Sequence, residues 1–188
     1  MNSITKETGA GEDLGLPAAA TRKMGSSMGR RAELLASRIE EGAARLGSFV
    51  EKLSEAEWRT PVSATDHRSV GVIVHHVAST YPVEVELART IASGKAVTDL
   101  TWEAVSEMNA EHAKNHSGVM KKAALELLYH NSCEAAAAVR EFTDDELDRA
   151  APFALSFGAP VTAQFVIEDH ALRHSWHRLA RIRTALGR

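Results

Sequence analysis

From Leu35 onward apolar residues return every three or four positions: Leu35, Ile39, Ala43, Leu46, Val50 and Leu53, with Glu40, Glu41, Arg45, Glu51 and Lys52 between them. That is the period of an α-helix with one face on a core. After a turn at Thr60 and Pro61, Ser69 is placed to cap a second helix that carries Val70, Ile73, Val77, Leu87 and Ile91. Pro82 should kink it and Gly94 should close it. A third segment, from about Trp102 to Phe142, carries Val105, Met108, Met120, Leu125, Leu128 and the alanines from Ala135 to Ala138, and Gly118 divides it into a short lead-in and a long helix. Thr143 and Glu146 form a capping box for a short turn of helix. A loop through Pro152, Phe157, Gly158 and Pro160 leads to Thr162, the N-cap of a last helix that reaches Ala185 and ends at Gly187.

No stretch alternates as a half-buried strand does, and no repeat of fixed period occurs. Four long amphipathic segments therefore predict an all-α fold, an antiparallel four-helix bundle with long connections. Two of those connections are long enough to cover the mouth of the bundle, where such folds build sites. Residues 1–28, rich in Gly, Ser, Thr and Ala and without an apolar run, read as a flexible arm, which leaves 29–188 as the bundle domain.

Composition narrows the partners. With 22 Lys and Arg against 25 Asp and Glu the chain carries a formal charge of -3, no footprint for nucleic acid or for an anionic membrane surface. The single cysteine, Cys133, excludes an intramolecular disulfide and a Cys-rich zinc module, and it fits a reducing, cytoplasmic compartment. Set among alanines, it reads as a buried small hydrophobe. Trp58 and Trp102 read as packing residues.

Candidate chemistry lies in the nine histidines. At about 100° per residue His174 falls about 40° from His170, and His177 about 20° to its other side, so the three share one stripe of the last helix. An i, i+4 His pair can chelate zinc, nickel, iron or copper, and a third ligand from a facing helix leaves an open coordination position. His76, beside Ile73, Val77 and Thr80 on the inward side of the second helix, is the natural third ligand, whereas His75 points about 100° away. A polar, solvated helix face beside Arg173, Arg178 and Arg181 is the competing reading of the stripe, supported by Leu172, Trp176, Leu179 and Leu186 across the wheel. His112 and His116 form another HxxxH pair, but in a polar stretch that reads as solvated helix, and Glu84 reads as a surface carboxylate. No GxSxG, GxxxxGK or GxGxxG motif occurs.

The segment VGVIVHHVASTYPVEVELARTIASGK, Val70 to Lys95, resembles the second helix of the DinB-like (DinB/YfiT) superfamily, in which a His followed by an aliphatic residue and Ala donates to a metal. His76, Val77 and Ala78 match that motif. DHALRHSWHRLARIRTAL resembles the superfamily's final helix, and EMNAEH and FTDDELDR resemble the segments between, so the similarity spans about Leu34 to Leu186. The last helix admits two registers. One sets His170 and His174 in the ligand pair; the other sets His174 and Arg178 there, and an always-protonated Arg cannot ligate. The first is preferred because it retains two metal-binding side chains.

The resemblance implies a divalent metal, zinc or nickel, held by His76, His170 and His174 in a homodimeric four-helix bundle. It also implies a metal-bound water or low-molecular-weight thiol as nucleophile toward a small-molecule substrate, in a hydrolase or transferase. His177, one turn on, would be a proton shuttle or a group behind the ligands, with a plain surface histidine as the competing and simpler reading. A non-catalytic, stress-related binding bundle with an incomplete metal site is the alternative.

Overall fold

The computed structural model describes residues 29–188; the arm expected over residues 1–28 lies outside the described residues. Its helices are α1 (Arg30–Val50), α2 (Glu55–Trp58), α3 (Val70–Ala92), α4 (Trp102–Asn115), α5 (Lys121–Arg140), α6 (Asp144–Asp148), α7 (Ala163–Val166) and α8 (Arg173–Ala185). No helix among the described residues is long and apolar enough to cross a membrane.

The helix ends follow the side chains that cap them. The hydroxyl of Ser69 accepts from Val72 N, and those of Thr143 and Thr162 accept from Glu146 N and Phe165 N. Each satisfies one of the donors that a helix start leaves unpaired. Glu146 reaches back to Thr143 N at 2.9 Å and completes the capping box. Gly94 follows α3 in the left-handed region at φ +80°, where a side chain would be strained. Pro82 lies inside α3.

The four long elements close a core. α1 packs on α5 and α8, and α3 packs on the same two, so α1 and α3, consecutive long helices, face each other across the core as a diagonal pair. Ile39, Leu46, Ile73, Tyr81, Ile91, Leu128 and Ile182 fill the space between them. α4 stands apart: it has no buried residue and lies against α3 alone among the long helices. Trp58 is buried and Trp102 is 53% exposed, so only the first is a core residue.

Three features depart from the pattern along the chain. Strands β1 (Ala150–Pro152) and β2 (Pro160–Thr162) pair antiparallel around the turn that joins α6 to α7. They are too short for alternation to register. The last helix is not uniform, because a π-helical segment, Ile167–Leu172, separates α7 from α8. Cys133 is exposed, since Ser132, Ala135, Ala136 and Val139 turn the inner face of α5 to the core and Cys133 falls on the outer one.

Gly71 lets α3 approach Trp58 closely. A Cβ there would stand 2.6 Å from the indole Cε2, and the indole Nε1 donates to the Val119 carbonyl at 2.9 Å, which ties the ring in place. Alanine favours a helix interior over glycine by about 0.5–1 kcal/mol. Overpacking against a tethered ring costs about 1–3 kcal/mol and decides the sign. Gly71→Ala is therefore expected to lower the free energy of unfolding in urea, and Gly118→Ala, with nothing within 4 Å, is the control expected not to clash.

Candidate metal centre

A cavity of about 460 Å³ opens between α3, α4 and the last helix. α3 contributes His76, Thr80, Glu84 and Leu87, α4 contributes Trp102, Val105, Met108 and His112, and the last helix contributes His170, His174, His177 and Arg178. Imidazoles and guanidinium groups thus share the lining with a set of apolar side chains.

Its fixed point is a pair of side chains from different helices. His174 Nδ1 lies 2.7 Å from Glu84 Oε1 and 3.3 Å from Thr80 Oγ1. A carboxylate only accepts, so Nδ1–H donates to Glu84 and Nε2 is the nitrogen left on the far side of the ring. This is the arrangement by which carboxylates orient metal-ligating histidines. Glu84 is buried, not the surface carboxylate its position suggested, and its second oxygen, Oε2, is buried with no hydrogen-bond partner among the described residues. The ring of His76 meets that of His174 edge-on, with centroids 5.0 Å apart.

The sequence-derived ligands share this cavity without converging equally. His76 and His174 are in ring contact, whereas His170, inside the π segment, lies edge-on to Phe153 at 5.7 Å. His177 is exposed at the rim. Arg178, off the ligand stripe in the first register, lines the same cavity, and its Nε is buried without a partner. The stripe was drawn for an even α-helix; a π segment bonds i to i+5 and changes the angular offset between His170 and the residues of α8.

His112 and His116 are not the solvated pair that their polar surroundings suggested. Both are half-buried, and with His75 they form the group of three whose donor atoms all lie within 4.8 Å of one another; no other such group occurs among the described residues. The signal was present as HxxxH, but its partner, His75, is legible only once α4 is placed on α3.

Burial disfavours the charged form of His76, His112 and His170. Burial first, then the neighbouring His174 and Arg178, push His76 down to about 3, and burial with His116 and His75 pushes His112 down to about 4. His170 is lowered mainly by burial, against the pull of Glu84 and Asp169. Neutral imidazole is the form that ligates. Two imidazoles in ring contact, one held by a buried carboxylate whose second oxygen is unpartnered among the described residues, offer two nitrogen ligands to a divalent metal, and His170 would have to turn toward them to make a third.

The comparisons agree with this architecture. The sequence profile of the DinB superfamily matches residues 38–182, and the chain belongs to that family. Among solved structures it is similar to YfiT from Bacillus subtilis, described as a probable metal-dependent hydrolase with an unusual four-helix bundle topology. The likeness has a TM-score of 0.66 at 21% identity and covers 87% of this chain and 90% of that one. No functionally curated protein matches the chain by sequence.

In metal-free protein the depressed His76 sets a pH dependence. Between its ordinary value of 6.5 and the folded value of about 3, the unfolded chain takes up a proton that the folded chain refuses. Stability is then full above about pH 6.5 and falls as the pH drops toward 3, by up to about 1.4 kcal/mol per pH unit from this group alone. With chelator present, urea unfolding between pH 7 and 4 should show at least this slope, and His76→Asn should reduce it, leaving the part that His112 and His170 contribute. An equal slope in the variant would place the proton uptake elsewhere.

Proposed function

We propose that the cavity holds a divalent metal, zinc or nickel, through His76, His170 and His174, and that the protein works on a small molecule there as a hydrolase or as a transferase of a small thiol. The observation that carries this reading is the buried Glu84–His174 contact, which leaves the Nε2 of His174 free beside His76. A bound divalent ion would lower the pKa of a coordinated water or thiol and so supply a nucleophile near neutral pH.

The chain's own residues do the rest. Glu84 and Thr80 fix the His174 ring by its Nδ1–H. Leu87, Val105, Met108 and Leu155 offer an apolar wall to the body of a substrate. Arg173 and Arg178 offer cations to an anionic end, since guanidinium groups remain charged and bind carboxylates or phosphates in pairs of hydrogen bonds. His177, at the rim, is placed to exchange a proton between cavity and solvent. The description of YfiT as a metal-dependent hydrolase favours the water-based form of the reaction.

Arg178 favours a second reading. It stands four residues after His174, lines the cavity and cannot ligate, so a fixed positive charge there would oppose a metal and leave a bundle that binds an anionic small molecule without catalysis. Metal content of untagged protein separates the two. His76→Ala and His174→Ala are each expected to lose one equivalent of metal relative to the wild type while the helical circular dichroism persists. Glu84→Gln should weaken zinc binding about 10- to 100-fold. Equal metal in the wild type and both His variants rejects the ligand set, and a gain of one equivalent in Arg178→His supports the second reading.

A further inference from the structure

The second histidine group adjoins the cavity described above, since His112 lines it and its ring lies edge-on to that of His76 with centroids 5.3 Å apart, but it uses none of the ligands proposed there and does not depend on them. We infer that His75, His112 and His116 form a separate site for a borderline divalent transition metal, zinc above all, and that the ion acts as a clasp holding α4 to α3. His75 Nδ1 lies 2.9 Å from His112 Nε2, the rings of His75 and His116 stack with centroids 3.9 Å apart, and those of His112 and His116 are 4.6 Å apart. All three donor atoms fall within 4.8 Å of one another. Tetrahedral zinc with bonds of about 2.0–2.1 Å sets its nitrogens about 3.4 Å apart, so the His75–His112 pair at 2.9 Å opens slightly and any wider pair closes to reach it, small adjustments for half-buried rings. Three imidazoles leave the fourth position to water.

One feature of the surroundings favours a cation, and one opposing charge is offset. His116 is the C-cap residue of α4, where the unpaired carbonyls carry the negative end of the helix dipole. Arg68, a cation close enough to bear on His112, is held by Asp66 through two hydrogen bonds of 2.8 Å, which offsets its charge.

The consequence follows from how α4 is held. It has no buried residue, and the polar contacts that join its far end to α3 run through one side chain, with His112 Nε2 2.9 Å from His75 Nδ1 and 3.4 Å from Ser79 Oγ. Yet Trp102, Val105 and Met108 of this helix give the cavity much of its apolar lining, and His112 lines it as well. An ion bound by one ligand from α3 and two from α4 would hold that wall closed, and its loss would release it.

Zinc titration of untagged wild type, His116→Ala, His174→Ala and the double variant, against a chromophoric chelator, tests the site. His116 does not line the cavity, so His116→Ala is expected to lose one equivalent and keep the one that depends on His174, while the double variant loses both. Superimposed titrations of wild type and His116→Ala overturn the second site, whatever His174→Ala does. A null effect of His174→Ala alone instead rejects the cavity reading and leaves this one standing. His75→Gln, from the α3 side, is expected to reproduce the loss. Hydrogen exchange reads the clasp: zinc should slow the amides of Trp102–Asn115 in wild type and His174→Ala but not in His116→Ala. Zinc binding at the site without that protection overturns the clasp.

Discussion

A carboxylate buried in a helical bundle must be met by a donor, and Glu84 on α3 is met by His174 on the last helix. Leaving such a group without a partner costs several kcal/mol, so the contact constrains how the last helix may turn against α3. It fixes the tautomer of His174, aims the free nitrogen into the cavity, and sets the His76 ring against it. One residue on, Ser175 meets the buried Tyr81 hydroxyl at 2.5 Å, a second polar tie between the same two helices. The π segment just before α8 belongs to the same constraint, since an inserted wide turn is a common way for a helix to present functional side chains at an angle that a regular helix would deny.

α3 serves two histidine groups because adjacent residues of a helix point about 100° apart. His76 turns to the last helix and His75 turns to α4, so one HisHis dipeptide supplies both. The two groups adjoin through His112, whose ring is 5.3 Å from that of His76, but differ in surroundings. His76 is buried beside cations, with Arg178 among the groups that disfavour its protonated form, while His75 and His116 stack in a half-buried seam. Arg178 weighs on the electrostatic balance of the cavity: its charge favours an anion and opposes a bare cation, and Glu84 and Asp169 line the same cavity from other elements as acidic counterparts.

Much of the bundle was legible because helix periodicity and caps are local signals. Ser69, Thr143 with Glu146, and Thr162 mark helix starts by short-range hydrogen bonds that any sequence window contains. His76 was legible as inward-facing for the same reason. The pairing of β1 with β2 was not, since three-residue strands carry no period. Glu84 was misread because its burial depends on a partner 90 residues away, and His112 and His116 because their polar neighbours face solvent while the two rings face His75. The place of Arg178 in the cavity and the turn of His170 toward Phe153 accompany a π segment whose residues look like any helix. Cys133 fell on the outer face because alanine is compatible with either face of a helix and so gives no phase.

The claim on which the rest stands is that Glu84 holds His174 with Nδ1 protonated and Nε2 free to ligate next to His76. NMR of isotopically labelled histidine rings tests it most directly, first in metal-free protein and then as zinc is added. The account predicts the Nδ1–H tautomer for His174 before zinc, and a shift of its Nε2 resonance together with a ring nitrogen of His76 as zinc binds. An Nε2–H tautomer at His174, or zinc that leaves both rings unmoved, would contradict it.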